Sequence, residues 1–253
     1  MFATSLDRIR RIGTTRQALT DRTSPFACRS LVMRRLAPLA AAVVVSIALF
    51  AAIGTSPASA MSPQQTTLTG TINLLYWDLD AFWRWTLPNY TNYRSPTIGY
   101  YAASPTNVPA CGGFLYDYTI MAQCPNGNQP QIWIHVGVNQ DKVTRLGDYA
   151  AGFFLAHEWG HHIANVLGLR FPTIRGRELY ADCMAGIFTR YGITMSHRLD
   201  AHDYTEGIWS LDDRFPNEGG PGNGYPTKAD RKAWYQYGYT SYNLSSCAQA
   251  VKQ

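Results

Sequence analysis

Charge is scarce in this 253-residue chain. Asp, Glu, Lys and Arg make up 15% of it, against about a quarter in an ordinary soluble domain. What charge there is lies unevenly. Residues 1–60 hold eight arginines and two aspartates, while the whole chain carries a formal +5. Residues 61–253 are left with 5 − 6 = −1. The basic balance therefore belongs to the first 60 residues and gives no grounds for a nucleic-acid partner or an acidic substrate. Internal repeats and low-complexity tracts are also absent, which excludes solenoid and array architectures. Cysteine is sparse: Cys28 lies early, and four more follow at Cys111, Cys124, Cys183 and Cys247.

The first 60 residues read as a leader. Met33-Arg34-Arg35 is followed by an apolar run, residues 36–53, and then by Ser56-Pro57-Ala58-Ser59-Ala60. A basic start, an apolar middle and an Ala-x-Ala end form a secretory signal peptide, with cleavage expected after Ala60. Residues 1–32 carry six arginines without apolar periodicity. Either they are a long basic extension or Met33 is the true initiator. The competing reading of residues 36–53 is a retained membrane anchor; 18 residues sit at the lower edge of a bilayer span. In an exported chain, the four later cysteines imply two disulfides, with three possible pairings.

Residues 61–253 can bury one good core and read as one α+β domain. Residues 61–70 are polar and read as a loose tail. Residues 77–87 have helical spacing and stop at Pro88. Residues 98–102 form a short aromatic strand between prolines. Residues 107–131, rich in Gly, Pro and Asn, read as a loop closed by a Cys111–Cys124 disulfide. Residues 131–138 alternate like a strand. A proline-free helix is expected over 146–167, ended by Gly168. Further helices are expected over 177–191 and 203–211. After a Gly/Pro-rich loop at 217–226, Thr227 with Asp230 caps a helix running to about residue 237.

The chemistry concentrates in His157-Glu158-Trp159-Gly160-His161. Histidines four apart share one face of a helix and can hold one cation. Neutral imidazoles suit zinc, a Lewis acid without redox chemistry. Glu158, next to the first histidine, is placed to act as general base on an attacking water. The pattern is a metallopeptidase signature. The flanking Phe153, Phe154, Leu155, Ala156 and Ile163 make this an apolar helix, so its histidines and glutamate need a reason to be buried. A second pair, Glu178 and Asp182, is also four apart. Glu178 can serve as third ligand and Asp182 can accept the outer N–H of a ligand histidine. His162 lies about 100° around the helix from His161 and is expected to hydrogen-bond rather than ligate. His135, His197 and His202 are given no role.

The run His157 to His162, together with Glu178-Leu179-Tyr180-Ala181-Asp182-Cys183-Met184-Ala185-Gly186, resembles the bacterial neutral zinc metallopeptidase family, whose zinc site is gluzincin-like. The Ala-Asp-Cys-x-Ala-Gly stretch carries the resemblance more than the histidine pair. The likeness extends weakly over residues 75–250. It implies His157, His161 and Glu178 as zinc ligands and Glu158 as base. It implies a zincin-like fold with an active-site helix, a second glutamate-bearing helix and a small sheet whose strand near 132–136 borders the cleft. It also implies disulfides Cys111–Cys124 and Cys183–Cys247. Relatives tend to have His-Gly-Thr where this chain has Tyr225-Pro226-Thr227. The Tyr225 phenol is therefore a candidate to stabilise an oxyanion.

The function expected is a secreted zinc peptidase acting on polypeptides, with one catalytic zinc ion and no nucleic-acid partner. Membrane association is expected only if residues 36–53 are kept. Two alternatives stay open: a secreted module in which zinc only braces two helices, and a zinc hydrolase of a non-peptide amide or ester.

Overall fold

The computed structural model describes residues 67–116, 119–125, 129–214 and 224–252. The leader, its apolar segment, the cleavage site after Ala60 and residues 61–66 lie outside the described residues. Residues 61–253 form one compact unit. It is mostly helical with a small sheet, so the expected α+β class holds.

Helix α1, Leu68–Thr86, starts nine residues before the expected position, with Thr67 as N-cap to the Gly70 amide. Gly70 and the β-branched Thr71 and Ile72 are weak helix formers. Burial decides the matter: Leu68, Ile72, Leu75, Leu79, Phe82 and Trp83 all face the core at helical spacing. The strands are β1 (Thr97–Tyr101), β2 (Thr106–Val108), β3 (Gly113–Leu115), β4 (Met121–Cys124) and β5 (Gln131–His135). β5 lies between a parallel β1 and an antiparallel β4, and β2 and β3 form a separate antiparallel pair. The expected loop over 107–131 thus contains most of β2 and all of β3 and β4. The strand expected over 131–138 ends at His135. There His135 turns into an N-cap, its Nδ1 accepting the Val138 amide, and α2 (Val136–Leu146) begins.

Helix α3, Tyr149–Val166, is the centre of the unit, with 15 of its 18 residues buried. It is apolar on every side because it is surrounded: α1, α2, α5 and β4 all pack on it, and α4 does so most closely. Its end is a Schellman turn. Gly168 takes φ 66°, its N–H bonds to Asn165 O, and the Leu169 N–H bonds to Ala164 O. The chain then reverses into α4, Ile174–Tyr191, whose N-cap Thr173 accepts the Gly176 amide. At Gly160 a Cβ would lie 3.0 Å from both Ala181 Cα and Met184 Cβ. Only glycine lets α3 and α4 approach this closely, one residue from His161 and one from Asp182.

Three helices complete the unit: α5 (Ala201–Arg214), α6 (Lys228–Ser241) and the short α7 (Leu244–Cys247). The expected capping box is present at α6, where Thr227 Oγ1 and the Asp230 carboxylate each accept the other's backbone N–H. Disulfides join Cys111 to Cys124 and Cys183 to Cys247, the arrangement of an oxidising, extracytoplasmic compartment. Among the described residues no helix is long and apolar enough to cross a membrane.

Candidate metal centre

α3 and α4 bring four sequence-identified side chains to one place. His157 Nε2 lies 3.3 Å from Glu178 Oε2, and His161 Nε2 lies 3.5 Å from Glu178 Oε1. The two imidazole planes are nearly perpendicular, with ring centres 4.7 Å apart. His157, Glu158 and His161 each present a donor atom within 4.8 Å of the others. Two ligands of a tetrahedral zinc, each at about 2.0–2.1 Å, are separated by about 3.4 Å. The spacings around Glu178 fit that requirement.

The tautomer of His157 follows from its surroundings. Its Nδ1 lies 2.8 Å from Asp182 Oδ1. The Asp182 carboxyl is fully buried, which alone would raise its pKa. The Arg231 guanidinium and the His157 ring overcome burial and hold it below the ordinary value. Asp182 is thus an anion and an acceptor, so the His157 Nδ1 carries the proton and donates it. The Nε2 lone pair is left pointing into the site. That nitrogen is buried and has no hydrogen-bond partner, an expensive condition unless something else is coordinated there. His161 Nδ1 is likewise buried without a partner.

Glu178 is 7% exposed. Burial would raise its pKa, yet His161 and His157 hold it well below the usual carboxylate range. The His157 imidazole shows the reverse balance. Burial opposes its charge, but Asp182 and Glu178 keep its pKa above the ordinary value. Two nitrogens and an anionic carboxylate face one another and ask for a positive charge between them: a proton in the bare chain, or a cation. The donor set fits zinc better than calcium or magnesium, which prefer all-oxygen shells.

Glu158 is held from the opposite wall. Its Oε2 accepts the backbone N–H of Gln123, on β4, at 2.8 Å. The strand bordering the cleft is therefore the edge strand β4, and not β5 near 132–136, because β5 is flanked on both sides. A cleft of about 800 Å³ opens over Glu158, His161 and Glu178. β4 residues Met121 to Gln123 form one wall, and the α3–α4 turn with Phe171, Arg170 and Arg177 forms the other. Tyr225 also lines this cleft and is 42% exposed.

The remaining histidines lie elsewhere. His162 packs away from the cleft, its Nε2 2.8 Å from Arg94 O, with a pKa lowered by burial. It is therefore neutral and donates to that carbonyl. His135 caps α2, and His202 pairs with Glu206 at 2.9 Å. Two features had no recognisable mark in the sequence. One is Arg231, buried against Asp182. The other is a second acidic group, Asp148, Asp203 and Glu206, at the start of α3.

No family model matches this chain, and no solved structure matches it. The curated proteins it resembles are uncharacterized. The protein YpfJ of Escherichia coli (strain K12) is 29% identical over 136 residues, covering 43% of this chain and 46% of that protein. Protein Rv2575 of Mycobacterium tuberculosis (strain ATCC 25618 / H37Rv) is 32% identical over 76 residues, 26% of each. Protein Mb2605 of Mycobacterium bovis matches to the same extent. The chain spans less than half the length of these relatives, and what they share with it is sequence of unassigned function.

Proposed function

We propose that this chain is an exported zinc-dependent peptidase. The observation that carries the reading is the meeting of His157 Nε2, His161 Nε2 and the Glu178 carboxylate, with the His157 nitrogen buried and without another partner. These three residues would hold the ion, and Asp182 would fix the His157 tautomer. Zinc, when bound, supplies Lewis acidity that acidifies water and polarises a carbonyl. Glu158 would take a proton from the attacking water and return it to the departing nitrogen. The Gln123 N–H ties down Oε2 of Glu158 and leaves Oε1 to do this. Tyr225, on the rim of the same cleft, can donate its phenol O–H to the carbonyl oxygen as charge develops there. The β4 edge gives an extended peptide a backbone to pair with. A purely bracing zinc site would have no use for a glutamate held at the cleft floor.

Export is read from the signal-like leader and agrees with the two disulfides. The test uses the oxidised protein beginning after Ala60. We expect about one zinc per chain, chelator-sensitive cleavage of a peptide library, and loss of at least about a hundredfold in rate for Glu158→Gln with zinc retained. Wild-type cleavage by Glu158→Gln, or a chain that takes up no zinc, would sink the proposal. Turnover of ester or non-peptide amide substrates in place of peptides would move it to another hydrolase class.

A further inference from the structure

Arg231 is the one charged group against this site that the peptidase reading leaves without a task. It sits in the first turns of α6, a helix that carries none of the ligands, and is 5% exposed. Its guanidinium meets the Asp182 carboxylate with two parallel bonds, Nε to Oδ2 at 2.8 Å and Nη2 to Oδ1 at 2.7 Å. Nη2 also lies 3.3 Å from His157 Nδ1. Asp182 Oδ1 is thus shared between the arginine and the imidazole. A carboxylate gripped at both oxygens cannot rotate about its terminal bond, so Oδ1 stays in line with the His157 N–H.

Helix α6 is fixed on the segment that bears Asp182. A Cβ at Gly238 would lie 2.0 Å from Cys183 O, and one at Gly186 would lie 2.1 Å from Tyr235 O. The two helices therefore touch backbone to backbone. Cys183, the residue after Asp182, is bonded to Cys247 just beyond α6. Close packing and a covalent staple both hold the arginine against its carboxylate.

We propose that Arg231 is a positioning residue of the metal site. It locks Asp182, Asp182 locks His157, and the His157 lone pair is thereby presented to the ion. The inference rests on the zinc-site reading above. The competing view is that Arg231 only ties α6 to α4.

The test is a double-mutant cycle on zinc affinity, read by competition with a chromogenic chelator at fixed pH. Arg231→Met should weaken zinc binding about 10- to 100-fold, the range for groups that orient metal ligands. In an Asp182→Asn background the same change should cost less than about twofold, because the arginine acts through that carboxylate. Thermal melts of the zinc-free proteins check folding. Should Arg231→Met not fold, Arg231→Lys decides. A lysine keeps the charge but cannot span both oxygens, so about tenfold weaker binding is expected, with a changed visible spectrum of the cobalt-loaded protein. Wild-type affinity in Arg231→Met or in a folded Arg231→Lys would overturn the proposal. So would equal losses with and without Asp182. A wild-type chain that binds no zinc would overturn the metal reading and this one together.

Discussion

Helix α3 passes two groups of carboxylates. Midway along, Glu178 and Asp182 meet His157, His161 and Arg231, and both acids are held below their ordinary pKa despite deep burial. At its first turn, Asp148, Asp203 and Glu206 bring their oxygens within 4.8 Å of one another. Their nearby counter-charges are weaker: His202, exposed, and the N–H groups opening the helix. Burial and mutual repulsion win there. Asp203 is pushed up to about 8 and Glu206 to about 7, and Asp148 is raised as well. Similar residue types on one helix thus give an anionic site in one place and proton-holding carboxyls in the other. The difference is geometric. Each acid of the first group faces a cation or an imidazole at hydrogen-bond range. Those of the second face chiefly each other.

The largest effect that would break this comparison is removal of a ligand. His161→Ala or Glu178→Ala should abolish stoichiometric zinc and, with it, chelator-sensitive cleavage. Metal analysis of the purified variants reads the first and a peptide assay the second. Full zinc in Glu178→Ala would show that the anionic group is not a metal site. Stability gives the next largest effect. At zinc about 1,000-fold above its Kd, binding adds about 4 kcal/mol to the folded state. For a domain of this size that corresponds to roughly 8–16 °C in Tm. Chelation should lower the melting temperature by that much in the wild type and by nothing in His161→Ala. Scanning calorimetry measures both.

These two groups also differ in how far the sequence revealed them. His157, His161, Glu178 and Asp182 were legible because each pair lies within one turn of a helix, where spacing alone fixes the shared face. Gly168 and the Thr227–Asp230 box were legible for the same local reason. Asp148, Asp203 and Glu206 are joined only by the docking of α5 on the start of α3, which no spacing encodes. Arg231 is hidden likewise: it follows a capping residue and reads as one more charged position at a helix start. The early start of α1 was concealed because Gly70, Thr71 and Ile72 are weak helix formers, and only their burial turns them. β5 was read too long because Val136-Gly137-Val138 prolongs its alternation. The His135 side chain, by capping α2, ends the strand where the pattern does not.

The smallest effect tests the acidic group and fixes the sign of its contribution. In the unfolded chain Asp203 loses its proton near 3.8; in the folded chain it keeps it to about 8. Folding therefore takes up protons in this window, and stability falls as pH rises from about 4 to about 8. Below the window both states are protonated and the group contributes nothing; above it the full cost remains. The pressure on Asp203 comes first from burial, then from Asp148, Glu206 and Asp200, with only the Asp200 N–H, 2.6 Å from its Oδ2, acting the other way. Asp203→Asn removes the charge and keeps an acceptor for that N–H. It should raise stability near pH 8.5 by about 1–2 kcal/mol, discounted for partial exposure, or roughly 3–6 °C, and leave it unchanged near pH 4. Zinc affinity and the shift on chelation should match the wild type, since this group lies away from the ligands. Melting curves across pH decide it. A variant less stable than the wild type at pH 8.5 would mean that the Asp203 carboxylate is ionised and useful where it sits, and that the two groups differ less than their surroundings indicate.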